Sequence, residues 1–358
     1  MKRIRIRKAA KRAVLTATMA LAAAGVLQAS VVSDPVTASE WTLSTGASFL
    51  SAPAHQIPVF SGKVASVAGD AVTIDGTLAA GALDKVNLAG SGVFAYQYVL
   101  VVRNDLSSEG SGTQGDWFTV ESNTASTVTV TPDGYATTGS RVAAGDTVEV
   151  FKLLSLKDVF GVGAANKFDI DNNLDDVSGD ALYLLDGTSF ANTVVYHDGS
   201  VLAPAGYYLD FGIFLGDGSQ FTFAPDQGVL FFNNYGPTFD ATVNGTLQSY
   251  NLTHYLATGF NGTATGFAAP APIGPSRLLE SGFAPESNLD DTSDAVFTLA
   301  GTSFADTLVY HDGSLLAPAG WRENFGPLNP NFPLNPGEGF FVKTAGTYLW
   351  RQPVPFVP

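Results

Sequence analysis

The sequence contains no cysteine. Disulfide cross-links, thiol nucleophiles and thiolate metal ligands are therefore all excluded. Charged residues are scarce as well, at 14% of 358 positions, and histidine occurs only 4 times. Beyond residue 29 no apolar run approaches the roughly 20 residues that a membrane helix needs, and the heptads of a coiled coil are missing. Gly (38), Phe (25), Pro (19) and Tyr (12) are plentiful instead, with Ala, Val, Thr and Ser filling much of the remainder. That is the composition of a turn-rich β protein. Apolar residues make up 45% of the chain, enough buried surface to offset chain entropy, so disorder is excluded and the length gives room for two or three domains.

The positive charge is concentrated at the start. Lys2, Arg3, Arg5, Arg7, Lys8, Lys11 and Arg12 precede an apolar stretch from Ala13 to about Leu27, followed by Gln28-Ala29-Ser30. This pattern predicts a signal peptide over 1–29 cut after Ala29, with an uncleaved anchor as the alternative. No Arg-Arg pair is present, which favours Sec-type export to the periplasm, cell surface or exterior. Without those seven cations, 11 Lys and Arg face 33 Asp and Glu, a formal charge of −22. Such a surface repels phosphate backbones, so no nucleic-acid partner is expected, while cations fit. No transmembrane segment is expected after signal cleavage.

An internal duplication organises the rest. Gly187 to Gly206 recurs as Gly301 to Gly320 with seventeen of twenty positions identical, the exceptions being Asn192/Asp306, Val194/Leu308 and Val201/Leu315. The likeness extends upstream through Asn173-Leu174-Asp175-Asp176 and Asn288-Leu289-Asp290-Asp291. Downstream, Pro225-Asp226-Gln227-Gly228 matches Pro336-Gly337-Glu338-Gly339. A weaker correspondence pairs Trp41–Pro53 with Tyr255–Pro270. About a hundred residues separate Pro53 from Leu153-Leu154, against about eight in the second copy, so a further module is inserted in the first. The expected organisation is a first unit over 30–58 and 151–240, an insert over 59–150 and a second unit over 241–358.

Each unit reads as short strands. Thr193–Tyr196, the turn Asp198-Gly199 and Val201-Leu202 predict a hairpin, and the Gly after Pro225 or Pro336 opens a buried strand. The insert alternates in Gly62–Ile74, Asp116–Val120, Thr127–Val130 and Gly145–Val150, which predicts a small barrel or sandwich. Helices are confined to Ser155–Phe160 and Ser276–Glu280, at equivalent places. The fold class expected is mainly β: two duplicated sandwich- or barrel-like modules with a small barrel-like module inserted in the first.

Chemistry is harder to find. Asp169, Asp171, Asn173, Asp175 and Asp180 place oxygen ligands where a Ca²⁺ loop would, although Leu174 stands where an EF-hand loop uses Gly; a solvated, turn-capping acidic loop is the alternative. Tyr196-His197-Asp198 and Tyr310-His311-Asp312 look like carboxylate-oriented imidazoles, but neighbours on a strand point to opposite faces, which favours a turn role. His55 and His254 are isolated. Ser189 and Ser303 lie in no Gly-x-Ser-x-Gly elbow, and no catalytic residues or cofactor-binding motif emerge. Trp41, Trp117, Trp321 and Trp350 suit either the core or a sugar-stacking surface. Asn244, Asn251 and Asn261 begin Asn-x-Thr sequons.

Ser33-Asp34-Pro35-Val36, Gly145-Asp146-Thr147, Leu156–Gly161, Pro225–Leu230 and the terminal Gly-Phe-Phe-Val strand resemble a family of uncharacterised exported β-rich proteins found mainly in Verrucomicrobia-type bacteria. The resemblance spans nearly the whole chain after the leader. It implies export and a β fold, and brings no activity or site residue with it. The function expected is a non-enzymatic, structural, adhesive or ligand-binding protein of the cell envelope or extracellular matrix, with envelope components or glycans as partners. A secreted carbohydrate-active enzyme or carbohydrate-binding protein is the alternative.

Overall fold

The computed structural model describes residues 36–358 apart from 53, 105–113, 132–137, 139–140, 164–165, 169–173, 201–202, 235, 289–291, 315–316 and 356–358. The fold is mainly β. The first unit opens with β1 (Val36–Leu43), β2 (Gly46–Ser51) and the brief β3 (Ala54–His55). The insert follows with β4 (Pro58–Ala68), β5 (Ala71–Ile74), the short pair β6 (Val86–Asn87) and β7 (Phe94–Ala95), then β8 (Tyr98–Val102), β9 (Trp117–Asn123), β10 (Thr127–Thr131) and β11 (Thr147–Lys152). Six of these close a barrel in the order β10-β5-β4-β11-β8-β9. Alternation in Thr-Val-Thr-Val-Thr of β10 sends Val128 and Val130 inward to meet Phe118, Val120, Val148 and Val150, so the barrel interior is a filled core.

The chain returns through α1 (Leu156–Phe160), whose first turn is closed by a reciprocal Ser155–Asp158 capping box. The first unit then continues with β12 (Ala181–Asp186), β13 (Ser189–His197), β14 (Gly206–Leu209), β15 (Ile213–Gly216), β16 (Gly228–Asn233) and β17 (Phe239–Leu247). The second unit comprises β18 (Leu252–Leu256), β19 (Gly259–Ala264), β20 (Ala271–Pro272), β21 (Ala295–Ala300), β22 (Ser303–His311), β23 (Gly320–Glu323), β24 (Pro333–Leu334), β25 (Gly339–Thr344) and β26 (Tyr348–Gln352). One sheet runs β15-β14-β13-β12-β16-β2 and the other β19-β25-β21-β22-β23, which is the same strand order apart from β15. Outside each sheet lies the pair that begins and ends its unit, β1 with β17 and β18 with β26. Because β17 pairs with β1, a division at 240 falls inside a strand of the first unit.

Strand alternation gives each sheet two buried faces. Val194, Tyr196 and Phe231 point toward Leu43 and Val243 of the outer pair, and Leu308, Phe340 and Val342 point toward Leu256 and Trp350. On the opposite faces Ala181, Tyr183, Val195 and Leu230 share one cluster with their counterparts Ala295, Phe297, Val309 and Phe341. The two copies thus meet through equivalent surfaces. The contact is reciprocal, since the bridge between Leu50 and Glu338 is matched by one between Thr263 and Gln227. This is the self-complementary arrangement of a two-fold dimer, realised within one chain.

Phe49 lies close to the axis of that arrangement and stacks on Phe341 at 5.0 Å between centroids. A Cβ on Gly228 or Gly339, the duplicated glycines of the Pro-x-x-Gly loops, would come within 2.6 or 2.8 Å of the Phe49 ring. The repeated glycine is therefore what admits the ring.

Two local expectations change. The strand returning from β13 begins at Gly206, where φ is +148°, and Val201-Leu202 lies outside the described residues. Asp198-Gly199 starts a longer loop because the His197 and Asp198 side chains accept the N–H groups of Gly199 and Ser200, leaving no ladder bond for a tight hairpin. The second helix is replaced by two 3₁₀ turns, Gly274–Ser276 and Leu279–Ser281, because Arg277 between them adopts φ +61°.

The insert, spliced into the first unit, docks on the second. Asp116 is fully buried, takes a 2.8 Å bond from Arg141 Nε within the barrel and a 2.7 Å bond from Thr253 Oγ1 of β18. Trp117 Nε1 donates to the Thr253 carbonyl at 2.9 Å, and Arg351 Nε stands 3.6 Å from Asp116.

Candidate functional site

Of the acidic loop, Asp169, Asp171 and Asn173 lie outside the described residues. Asp175 Oδ1 accepts the N–H groups of Ser178 (2.7 Å) and Val177 (2.9 Å), bonds that hold its carboxyl below the ordinary range. Asp180 is buried and its Oδ1 accepts the Asn234 N–H at 3.0 Å. Its counterpart Asp294 does similar work, accepting from Ala284 N (2.6 Å), Ala345 N (2.5 Å) and the Tyr348 hydroxyl (3.2 Å). These two carboxylates fasten the start of β12 and β21 to neighbouring loops. Among the described residues no group of three or more His, Asp and Glu is arranged to hold a metal.

The duplicated imidazoles are sealed from solvent. His197 and His311 are both fully buried, and each Nδ1 accepts a glycine N–H at 3.1 Å, from Gly199 and Gly313. The hydrogen therefore sits on Nε2, and the adjacent Asp198 and Asp312 are 3.8 and 3.9 Å away, accepting instead from Ser200 and Ser314. These triplets are turn locks. His55 is buried against the Phe151 ring at 4.0 Å.

His254 belongs to a different setting. Its ring stacks on Trp350 at 4.3 Å, Nδ1 lies 3.0 Å from Thr263 Oγ1, and Nε2 lies 3.0 Å from Gln352 Oε1. Thr263 also donates to the Asp226 carbonyl, and the Asp226 carboxylate is 3.6 Å from Nδ1. Trp41 occupies the equivalent place in β1 of the first unit, opposite Ala241. The indole has changed strands between the copies, from Trp41 on one to Trp350 on the other, and the space it vacates holds the imidazole.

Both of these residues stand by clefts, and the clefts are related like the units. One, of about 640 Å³, lies between β1–β2 and the β21–β22 hairpin, with Ser48, Leu50, Leu299, Gly301 and Glu338 on its walls. The other, of about 590 Å³, is lined by the counterparts Asn261, Thr263, Leu185, Gly187 and Gln227. Both volumes fall in the range of small-molecule sites. Trp41 lines the first cleft, is buried, and its indole N–H has no acceptor among the described residues. Two carboxylates share that cleft: Asp306 accepts from Thr298 Oγ1 (3.1 Å) and Asn324 Nδ2 (3.0 Å), and Glu338 accepts from Asn335 Nδ2 (2.9 Å).

Sequence reasoning misses these clefts because each is assembled from segments of both units. The one available signal is the exchange of Asn192 for Asp306 in the repeat. Trp321 and Trp350 are core residues, as is most of Trp41, whereas Trp117 is half-buried at the contact between insert and second unit. Among the described residues no helix is long and apolar enough to cross a membrane. Comparison of the chain with family models, with curated proteins and with solved structures finds no match.

Proposed function

We propose that this chain is an exported, non-enzymatic β protein of the cell envelope or extracellular matrix, acting by binding as a structural or adhesive element. The observation that carries the reading is the fate of the four histidines, all of them buried. All four are bonded into turns or the core, His55 through Nδ1 to the Gln56 carbonyl at 2.9 Å beside the Phe151 ring. General acid–base chemistry by imidazole needs a ring presented to substrate. The clefts at the seam have volume and mixed polarity without a presented nucleophile–imidazole pair. Pull-down from envelope extracts together with a glycan array tests the reading: a reproducible partner or glycan, unchanged by the protein, is expected, and turnover of the bound material would sink it.

A second reading draws on Asp306 and Glu338, two carboxylates in one cleft, the minimum set for glycoside hydrolysis. Release of reducing ends from polysaccharide, abolished by Glu338→Gln with binding retained, is the outcome this reading requires.

A further inference from the structure

We infer that the two clefts have parted in role: the one beside Trp41 binds an uncharged, polyhydroxylated chain, a neutral polysaccharide, and its twin beside His254 is a structural joint. The inference rests on the reading of the molecule as a binding protein and gives it a site and a ligand class.

The twin spends its polar groups on itself. The Asn261 amide accepts from Ala257 N and donates to the carbonyls of Ala257, Gly259 and Val342, while Thr263 is committed to Asp226 and His254. In the Trp41 cleft the same two positions are Ser48 and Leu50, which form no such network among the described residues. The cleft keeps the Trp41 indole as an apolar wall, its N–H out of reach of solvent.

Charge selects the ligand class. Among the described residues no Lys or Arg lines either cleft; Asp226 lines the twin, and Asp306 and Glu338 line the first, so phosphate, sulfate and uronate groups are repelled from it. Both Asp306 oxygens already accept a neutral donor, from Thr298 and Asn324, so the carboxylate is oriented as an acceptor for hydroxyls. Half-buried Phe332 adds an apolar face, and Gly301 and Gly337 let a bulky ring approach the backbone.

Affinity electrophoresis of the intact protein in gels cast with laminarin, mannan or glucomannan, with alginate as the anionic probe and polylysine binding measured separately, tests this. Ala305→Trp fills the Trp41 cleft from an exposed position of β22, and Thr188→Trp does the same to the twin. Circular dichroism and thermal melting establish that both variants are folded. Retardation by at least one neutral polysaccharide is expected, weakened about tenfold or more by Ala305→Trp and left within about twofold by Thr188→Trp. Absence of retardation by every neutral probe, binding of alginate or polylysine alone, or equal weakening by both variants would overturn the inference. Capture of an envelope protein with no glycan bound refutes this inference and leaves the binding reading standing. Turnover of a retained polysaccharide, blocked by Ala305→Trp, refutes the non-enzymatic reading and supports the cleft.

Discussion

Phe49 of β2 and Gly262 of β19 occupy the same place in the two sheets, yet one carries a ring and the other no side chain at all. A Cβ on Gly262 would approach the Phe49 ring to 3.3 Å, and the same ring is bounded by Gly228 and Gly339 from the two loops. Close to a symmetry axis the two copies compete for one volume, so a duplicated residue there must diverge. Elsewhere in the seam some pairs keep the same side chain, as Ala181 and Ala295 or Val195 and Val309 do.

The sharpest way to break this comparison is to remove the ring. Phe49→Ala is expected to cost about 3–5 kcal/mol in urea unfolding, as large-to-small changes at buried aromatics do. Moving the ring across the axis, with Phe49→Gly and Gly262→Phe combined, is expected to recover part of that loss. No recovery would mean that the two positions do not share a volume.

A smaller effect is expected where the copies have exchanged partners. In the first unit Asn192 Nδ2 donates to Asp210 at 2.7 Å, and in the second Asn324 Nδ2 donates to Asp306 at 3.0 Å, so amide and carboxylate have traded places. In both, the turn after the third strand bends through left-handed backbone, at Asp210-Phe211 and Asn324-Phe325. N192D leaves two carboxylates facing each other and is expected to cost about 1 kcal/mol. N192D with D210N recreates the arrangement of the second unit and is expected to restore stability, read as a double-mutant cycle. Additive losses would contradict the equivalence.

The smallest effect concerns the ends of the helical segments. Lys157 of α1 reaches Asp217 after β15 at 2.6 Å, while the equivalent place in the second unit carries the local Arg277–Glu280 pair at 3.6 Å. Bonds from Lys157 and Ser219 pull the Asp217 carboxyl down to about 2. A depressed carboxyl stabilises the fold above its unfolded value, near 3.9, and that contribution fades as pH falls through about 2. Asp217→Asn is expected to lower the melting temperature slightly at pH 6 and to lower it less at pH 2. Both groups are substantially solvated, which keeps the effect small. An equal deficit at both pH values would show that packing, and not charge, is lost.

How much of this was legible follows from what each feature depends on. The duplication, the buried Pro-x-x-Gly strands and the alternating insert can be read because identity and a period of two are local properties. Strands of that length and spacing fit a small barrel or a sandwich, and only the pairing of β10 with both β5 and β9 closes the barrel. The seam is not legible, since Ala181, Val195 and Leu230 carry the same apolar signature whether they face a core or a second copy of themselves. Nor are the clefts, where Ser48 and Glu338 meet across nearly the whole chain. The helix expected at Ser276–Glu280 fails on one residue, Arg277, whose backbone conformation nothing in its side chain announces.

The Asp116 contact has a consequence for how the molecule is made. The barrel strands emerge in synthesis before Thr253 and Arg351, which complete the surroundings of that buried carboxylate. β1 likewise waits some two hundred residues for β17. A chain delivered from its N-terminus therefore holds an early module whose anchorage does not yet exist, and its completion as one cooperative body is postponed until β18 and β26 have arrived.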